Sequence, residues 1–210
     1  GHRFIPQAMA AGAAAVLCQE TPEGTVPFVR TENSRRALAV AGGNFYGHPS
    51  RGMTMVGITG TNGKTTSTYL LKAILEARGE KVGLIGTNQN MIGQEVLPTE
   101  RTTPESFELQ GLFARMREAG CTAVVMEVSS HALALDRVYG VDYAVGVFTN
   151  LTQDHLDFHK TMEDYCDAFE AFANQIQKGV VLFGDDAAVR SLHVKTEHLY
   201  YGLKDHNDVQ

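Results

Sequence analysis

The clearest chemical signal in the sequence is a glycine-rich segment that carries one lysine and several hydroxyl side chains. It reads Gly60-Thr61-Asn62-Gly63-Lys64-Thr65-Thr66. In such a loop the backbone N–H groups cradle phosphate oxygens at the start of a helix. Lys64 would add a positive charge beside the β- and γ-phosphates, and the Thr65 hydroxyl would hold Mg²⁺. The segment therefore predicts a site for a nucleoside triphosphate with Mg²⁺.

One position departs from the strict phosphate-loop pattern, because Ile58 stands where that pattern has its first glycine. The alternative interpretation is a glycine turn with a solvated lysine. An apolar run of strand length precedes the loop, and a helical pattern with Leu71 and Leu75 on its apolar face follows it. Because the motif needs this context, we prefer the phosphate-binding interpretation.

Apolar runs and helical patterns alternate along most of the chain. We expect strands over 53–59, 81–86, 123–128, 143–148 and 180–183. One helix is expected over 65–78, and the next is expected to start at Pro104 with Thr103 as its N-cap. Strands that alternate with helices predict an α/β fold, in which a mostly parallel sheet has helices on both faces.

Polar residues follow several of the expected strands, directly after Thr59, Met126 and Phe148. Ligands of open parallel sheets bind outside the carboxyl ends of the strands. We therefore expect these polar residues to form one shared site with the glycine-rich loop.

Residues 1–50 differ from the alternating part of the chain. They contain an Ala-rich segment and a helical pattern over 33–44, which is too little for a complete α/β domain. A turn-rich stretch at 47–50 separates this piece from the rest. The sequence predicts part of a small domain followed by one larger α/β domain over 51–210.

Composition and charge narrow the classes of function. Hydrophobic residues make up 43% and charged residues 20% of the 210 residues, as in ordinary globular proteins. The formal net charge of −6 argues against a nucleic-acid partner. We find neither an apolar run of membrane-spanning length nor a secretory signal, and the scattered cysteines suit a reducing compartment. We expect a cytoplasmic protein that binds neither nucleic acid nor membrane.

Several motifs in a fixed order carry a resemblance to a known family. After the loop come Thr99-Glu100-Arg101-Thr102-Thr103-Pro104-Glu105, Met126-Glu127-Val128-Ser129-Ser130-His131 and Thr149-Asn150-Leu151-Thr152-Gln153-Asp154-His155-Leu156-Asp157. With the glycine-rich loop, these segments resemble the Mur ligase family, most closely the members that add the third residue to UDP-N-acetylmuramoyl-L-Ala-D-Glu. The match runs over nearly the whole chain, and residues 1–50 resemble the later part of the family's N-terminal, uridine-binding domain.

The resemblance implies an ATP-dependent amide-bond ligase of peptidoglycan precursor synthesis. The γ-phosphoryl group of ATP would go to the D-Glu carboxylate, and the amine of L-Lys or meso-diaminopimelate would attack the acyl phosphate. ATP and Mg²⁺ would be the cofactors, and we expect a monomer. Residues 51–210 would be the central ATP-binding domain, and the family's C-terminal amino-acid-binding domain would be absent. On that expectation, the chain alone binds nucleotide weakly and does not complete catalysis.

The resemblance also implies roles for particular residues. The nucleotide would be held by Gly60, Thr61, Asn62, Gly63, Lys64, Thr65 and Thr66. Catalysis would rest on Lys64, Glu127 and His155, and the metal would be held by Thr65, Glu127 and His155. The UDP-muramoyl peptide would contact Thr102, Thr103, Ser129 and Arg137. The structural alternatives are an exposed strand-end carboxylate for Glu127 and a surface arginine for Arg137.

One position conflicts with the resemblance. Family members of this type place a carbamylated, metal-binding lysine on the helix after the Asp154-His155-Leu156-Asp157 motif, and Phe169 stands at the expected position. Either phenylalanine replaces the lysine and joins a helical apolar stripe with Phe172 and Ile176, or a lysine between Ala168 and Phe169 is missing from the sequence. Both explanations stay open.

Two other functions remain compatible with the sequence. Another ligase of the superfamily, such as cyanophycin synthetase, shares the phosphate loop. A non-catalytic nucleotide-binding module would follow if Phe169 has truly replaced the metal-binding lysine.

Overall fold

The computed structural model describes residues 1–151 and 162–210, with side chains from residue 166 onward in the second range. The helices are α1 (Ile5–Ala10), α2 (Ser34–Phe45), α3 (Lys64–Ala77), α4 (Ser106–Glu118), α5 (Ser130–Ala134), α6 (Met162–Ala173) and α7 (Ala187–Arg190). The strands are β1 (Val16–Cys18), β2 (Phe28–Arg30), β3 (Thr54–Thr59), β4 (Val82–Ile85), β5 (Asn90–Ile92), β6 (Glu95–Leu97), β7 (Ala123–Glu127), β8 (Val145–Phe148), β9 (Gly179–Phe183) and β10 (His198–Tyr201). Short 3-10 turns cover His2–Phe4 and Pro49–Gly52.

The central sheet has eight strands in the order β10-β9-β8-β3-β7-β4-β5-β6. Neighbours from β10 to β4 pair in parallel, whereas β5 pairs antiparallel with both β4 and β6. Every strand that the sequence predicts is present, as β3, β4, β7, β8 and β9. The expected α/β fold with a mostly parallel sheet is confirmed, and the β5–β6 hairpin and β10 are additions that the sequence did not predict.

Side chains of the central strands alternate between two apolar layers. Met55 of β3 and Val124 of β7 belong to the larger core, to which α4 and α6 also contribute. Their chain neighbours Val56 and Val125 belong to a second core on the opposite face, where Leu71 of α3 packs. Since successive strand residues point to opposite faces, helices cover both faces of the sheet, as the sequence predicts.

Strand β3 lies in the middle of the sheet, between β8 and β7. The chain leaves β3 through α3 and returns at β4, beyond β7, while β8 lies on the other side of β3. The strand order therefore changes direction beside β3. A crevice opens at such a point outside the carboxyl ends of the strands, and ligands of open α/β sheets bind there.

The expected start of α4 is wrong. The helix begins at Ser106 rather than Pro104, and its N-cap is Glu105 instead of Thr103. Glu105 and Glu108 form a capping box, in which each side chain accepts from a backbone N–H at the start of the helix. Since this pair satisfies the first N–H groups of α4, the Thr103 hydroxyl is left for another contact, which lies in the site.

Residues 1–50 form a small α/β piece. Strands β1 and β2 pair in parallel as a sheet of their own. The helix expected over 33–44 is confirmed as α2, and the Asn33 side chain caps it by accepting from the N–H groups of Arg35 and Arg36. Helix α2 packs against α4 of the larger domain, where Gly42 lies against Phe107. The assignment of this piece to a uridine-binding domain stays a prediction.

Within the described ranges, no helix has both the length and the apolar character that crossing a bilayer would require.

Candidate active site

The glycine-rich segment forms the turn between β3 and α3. Gly60 and Gly63 have φ angles of 128° and 86°, in a region that glycine adopts without strain. The Lys64 side chain curls back along the turn, and its Nζ donates to the carbonyl oxygens of Gly60 at 2.7 Å and Thr61 at 3.1 Å. The first N–H groups of a helix, such as that of Thr65, lack acceptors within the helix. An ammonium group and helix N-terminal N–H groups are the donors that a phosphate chain needs.

The end of β8 lies directly against this loop. The Thr149 hydroxyl donates to the carbonyl oxygen of Asn62 at 2.6 Å and lies 3.1 Å from that of Thr59. The Asn150 side chain pairs with the Asn62 backbone, accepting from its N–H at 2.9 Å and donating to its carbonyl oxygen at 3.1 Å. The Thr61 N–H donates to the carbonyl oxygen of Asn150 at 3.1 Å. The predicted meeting of these two strand ends is confirmed.

Glu127 is the last residue of β7 and pairs in register with Ile58 of β3, which places it beside the loop. Its side chain is only 1% exposed, so it is not the exposed strand-end carboxylate of the structural alternative. Thr87 donates to it through its N–H at 2.9 Å and its hydroxyl at 3.0 Å. A Cβ at Gly86 would overlap the Glu127 carboxylate, so a larger residue there would force the carboxylate to move.

Thr103 is fully buried and connects Thr102-Thr103-Pro104-Glu105, here called the TTPE segment, to the end of β7. Its hydroxyl donates to the carbonyl oxygen of Glu127 at 2.9 Å and accepts from the N–H of Ser129 at 3.1 Å. The neighbouring Thr102 hydroxyl lies 3.0 Å from that of Thr87. Thr103 therefore holds the backbone of Glu127 and Ser129 in place, while Thr102 lines the cavity.

Arg137 follows α5 and is held by the segment that precedes α4. Its guanidinium pairs with Glu105 at 2.9 Å and donates to the carbonyl oxygen of Thr103 at 3.2 Å. Only 14% of the Arg137 side chain is exposed, so the alternative of a surface arginine does not hold. Glu105 also pairs with Arg35 of the N-terminal piece at 3.3 Å.

These groups surround one cavity of about 410 Å³ at the carboxyl ends of β3, β4 and β7. Its walls include loop residues 61–65 and four other predicted positions, Thr102, Glu127, Ser129 and Arg137. Gly60, Thr66 and Thr103 do not line it. Two lining residues have no role in the sequence prediction, Thr87 and His131. Thr87 follows a predicted strand, so its position at a strand end was the signal that could have found it.

A separate depression of about 480 Å³ lies at the opposite end of the sheet, bounded by residues that precede β3, β7, β8 and β9. Arg51 and Asp142 form an ion pair at 3.0 Å in this region. None of the predicted site residues lines it. Of these two cavities, the one at the carboxyl ends of the strands contains the predicted site residues.

Two predictions concern the segment that follows β8. His155 lies outside the described residues, so its metal and catalytic roles stay predictions. Phe169 is fully buried and packs against Phe148, with ring centroids 5.7 Å apart. It shares the large core with Phe172 and Ile176, which confirms the apolar stripe.

The donor set at the cavity fits Mg²⁺. This ion prefers oxygen ligands and is often held by one or two carboxylates together with substrate phosphates and water. Glu127 supplies a buried carboxylate at the wall that it shares with the Thr65 hydroxyl. In the described part of the chain, no group of three or more His, Cys, Asp or Glu side chains forms a metal-binding cluster. The protein groups available here are suited to an ion that a nucleotide brings with it.

The phosphate loop, the buried carboxylate and the TTPE segment thus meet at one crevice of a parallel sheet. The family model of the Mur ligase middle domain matches residues 58–210 of this chain. The chain belongs to the Mur ligase family. The resemblance drawn from the motifs is confirmed.

Individual Mur ligases are similar to the chain in sequence and in structure. UDP-N-acetylmuramoyl-L-alanyl-D-glutamate–2,6-diaminopimelate ligase 1 of Clostridium acetobutylicum is 46% identical over 213 residues, which cover 100% of the chain and 44% of that protein. A solved structure of a UDP-N-acetylmuramoyl-L-alanyl-D-glutamate–2,6-diaminopimelate ligase superposes with a TM-score of 0.80 at 26% identity, covering 99% of the chain and 44% of its own. The MurF ligase from Thermotoga maritima in complex with ADP shares the fold, with a TM-score of 0.57 at 22% identity over 99% of the chain and 45% of its own. The chain spans less than half the length of these Mur ligases.

Proposed function

We propose that the whole protein is an ATP-dependent ligase that joins a diamino acid to UDP-N-acetylmuramoyl-L-Ala-D-Glu in peptidoglycan precursor synthesis. The observation that carries this proposal is the buried Glu127 carboxylate in the same cavity as the phosphate loop. The name of the 46% identical relative supports the acceptor and favours 2,6-diaminopimelate over L-Lys. Because the chain spans 44% of that relative, we propose nucleotide binding for the chain itself and ligation for the whole protein.

The phosphate loop would bind the triphosphate of ATP. On nucleotide binding, Lys64 Nζ exchanges its carbonyl contacts with Gly60 and Thr61 for phosphate oxygens, which are charged and therefore stronger acceptors. The N-terminal N–H groups of α3 point their partial positive charge at the same anion. These residues would hold the γ-phosphate in line with the acceptor. A phosphoryl transfer requires mainly this positioning and charge stabilisation.

Glu127 and Thr65 would hold Mg²⁺ at the phosphates. The ion would neutralise the charge that develops on the transferred phosphoryl group. Thr87 keeps the Glu127 carboxylate in one orientation through its N–H and hydroxyl donors. His155 is proposed as a further ligand on family resemblance alone.

The UDP-muramoyl dipeptide would enter on the side of the cavity that Thr102, Ser129 and Arg137 line. The planar guanidinium of Arg137 suits a carboxylate or a phosphate of this substrate. The D-Glu carboxylate would attack the γ-phosphorus, and ADP would leave. The amine of the diamino acid would then displace phosphate from the acyl phosphate to form the amide. We propose that this takes place in the cytoplasm, with the protein acting as a monomer.

The decisive test is product formation with purified components. The whole protein, MgATP, UDP-N-acetylmuramoyl-L-Ala-D-Glu and either meso-diaminopimelate or L-Lys are incubated, and the UDP-muramoyl tripeptide is measured by mass spectrometry together with ADP. We expect tripeptide and ADP in equal amounts, with both substrates required. ATP binding without any substrate-dependent ADP release would refute the ligase proposal and favour a non-catalytic module. Turnover of a cyanophycin primer instead would reassign the substrate.

A further inference from the structure

The phosphate loop contains two glycines and is contacted by the residues that follow β8. Its two glycines take φ angles of 128° and 86°, and glycine has more conformational freedom to lose than any other residue. A loop of this kind binds phosphate tightly only if it is ordered before the ligand arrives, because ordering on binding lowers the affinity. The contacts that order it come from Thr149 and Asn150, directly after β8.

Asn150 fixes the middle of the loop with a two-point contact. Its side-chain oxygen accepts from the Asn62 N–H at 2.9 Å, and its side-chain nitrogen donates to the Asn62 carbonyl oxygen at 3.1 Å. Both polar groups of one loop residue are therefore satisfied by one side chain. Asn62 is therefore held in one orientation directly before Gly63, the N-cap of α3.

Thr149 fixes the same carbonyl group from a second direction. Thr149 is only 8% exposed, and its hydroxyl donates to the Asn62 carbonyl oxygen at 2.6 Å. This contact turns the partial negative charge of the carbonyl toward β8 and away from an incoming phosphate. A Cβ at Gly60 would overlap the Thr149 hydroxyl, which shows how closely the two segments approach.

The residues on either side of Thr149 and Asn150 are themselves held in place. Phe148, the residue before Thr149, pairs in register with Thr59 of β3. On the other side, the Leu151 N–H donates at 2.7 Å to Asp186, whose carboxylate also caps α7. The segment therefore has a rigid base from which to hold the loop.

We propose that Thr149 and Asn150 are positioning residues that hold the phosphate loop in its nucleotide-binding shape, an inference that rests on the proposed binding of ATP to this loop. The same contacts explain why this chain can have Ile58 where the strict phosphate-loop pattern has its first glycine. Ile58 lies inside β3 with 1% exposure, and the close approach that needs glycine occurs at Gly60 instead.

The test compares variants of this chain by calorimetric titration with MgATP. Thr149→Val removes the hydroxyl at nearly constant volume, and Asn150→Ala removes the two-point contact at a less buried position. Each variant is expected to raise the dissociation constant for MgATP about threefold to tenfold, the worth of a net hydrogen bond. Thr149→Ser keeps the hydroxyl and is expected to bind within about twofold of the wild type.

The matched control is Thr196→Val. Its hydroxyl lies 3.3 Å from each of two carbonyl oxygens, those of Ala173 and Ile176, far along the chain from the loop. It is expected to leave MgATP binding unchanged. Adenosine, titrated as a competitor of a labelled nucleotide, is expected to bind every variant equally, because it has no phosphate for the loop to hold.

The outcomes separate this inference from the proposed function. If the wild type binds MgATP and both Thr149→Val and Asn150→Ala bind it equally well, the positioning role is wrong while nucleotide binding stands. An equal loss for adenosine and MgATP would also overturn it, because general loosening rather than loop positioning would then be the cause. If the wild type binds no MgATP, the proposed function fails and the inference with it.

Discussion

The charge of Glu127, rather than its shape, is what the proposed site uses, and Glu127→Gln separates the two. The side chain is 1% exposed and accepts from the N–H and hydroxyl of Thr87. A glutamine of the same length keeps the oxygen that accepts from the Thr87 N–H, and the Thr87 hydroxyl can accept from the new amide. We therefore expect the metal-free variant to have a free energy of unfolding equal to or higher than that of the wild type, because it keeps these contacts and buries no charge.

The effect on ATP binding should change sign with the metal. Without Mg²⁺, the carboxylate repels the phosphates that the loop binds. At a separation of about 6 Å and an effective dielectric constant between about 80 and 20, one such pair costs about 0.7–3 kcal/mol. Glu127→Gln should then bind metal-free ATP about threefold to a hundredfold more tightly. With Mg²⁺ the variant lacks a carboxylate ligand, and its affinity for the ion should fall at least about tenfold.

The assay is a pair of calorimetric titrations of ATP, one in excess Mg²⁺ and one in a chelator. The ratio of the two dissociation constants should be large for the wild type and much smaller for Glu127→Gln. Glu197→Gln, an exposed residue outside the cavity, should leave the ratio unchanged. If Glu127→Gln weakened ATP binding equally with and without Mg²⁺, the carboxylate would be a structural group and the metal assignment would be wrong.

Three further substitutions test other features of the molecule. Gly86→Ala should displace the Glu127 carboxylate. Thermal melts should then show a free energy of unfolding lower by about 1–3 kcal/mol, and titration should show weaker MgATP binding. The His193 N–H holds the pKa of Glu170 below its ordinary value. The stability that this contact gives is present at neutral pH and is lost on acidification, so Glu170→Gln should cost about 0.5–1 kcal/mol at pH 7 and reduce the acid loss in urea unfolding. Burial raises the pKa of Tyr143, so the wild type should lose thermal stability above about pH 10, and Tyr143→Phe should lose less of it.

Each of these substitutions has a control within the chain. At Gly179 a Cβ would find ordinary contact distance, 3.7 Å from the nearest atom, so Gly179→Ala should keep MgATP binding. His193→Ala keeps the backbone N–H, the largest cause of the Glu170 shift, and should keep most of the pH dependence. Tyr139→Phe alters a tyrosine that is 36% exposed and should leave the alkaline loss in place. A control that behaved like its partner would refute the corresponding explanation.

The alternation of strands and helices could be predicted from the sequence, because buried residues recur with the period of about two in strands and about 3.6 in helices. Strands β3 and β7 are continuous apolar runs, as strands covered on both faces must be. Their carboxyl ends then had to meet, which placed the glycine-rich loop beside Glu127. In contrast, β5 and β6 each have three residues and a mixed or exposed burial pattern. A hydrophobic pattern this short did not predict the hairpin.

The local chemistry at the start of α4 shows where single-sequence reasoning fails. Threonine is a good N-cap and proline a good first helical residue, so Thr103-Pro104 was a sound prediction by local rules. A competing capping box two residues later prevailed, because the Thr103 hydroxyl is bound to the Glu127 carbonyl oxygen and the Ser129 N–H. Those partners are 24 and 26 residues away in the chain, beyond the reach of any local pattern.

The ion pairs around Arg137 are likewise a product of the tertiary structure. Glu105 contacts both Arg137 and Arg35, and Arg35 lies 70 residues from Glu105 in the chain. The resemblance to the family indicated that Arg137 belongs to the site, but it gave no reason to expect a carboxylate beside it. Only the packing of α2 against α4 brings the N-terminal piece near enough to share that carboxylate.

The burial of Glu127 is the strongest physical argument that the site binds a cation. Removing an ionised carboxylate from water is costly unless its charge is compensated, and the donors that the described structure gives it are the neutral N–H and hydroxyl of Thr87. A glutamine would accept the same N–H without that cost, so hydrogen bonding alone does not explain a charged residue here. Gly86 leaves room for this carboxylate, so the surrounding backbone is also fitted to it. A cation bound at the cavity would compensate this charge, and Mg²⁺-bound ATP would supply both that cation and an anion for Lys64 and the N-terminus of α3.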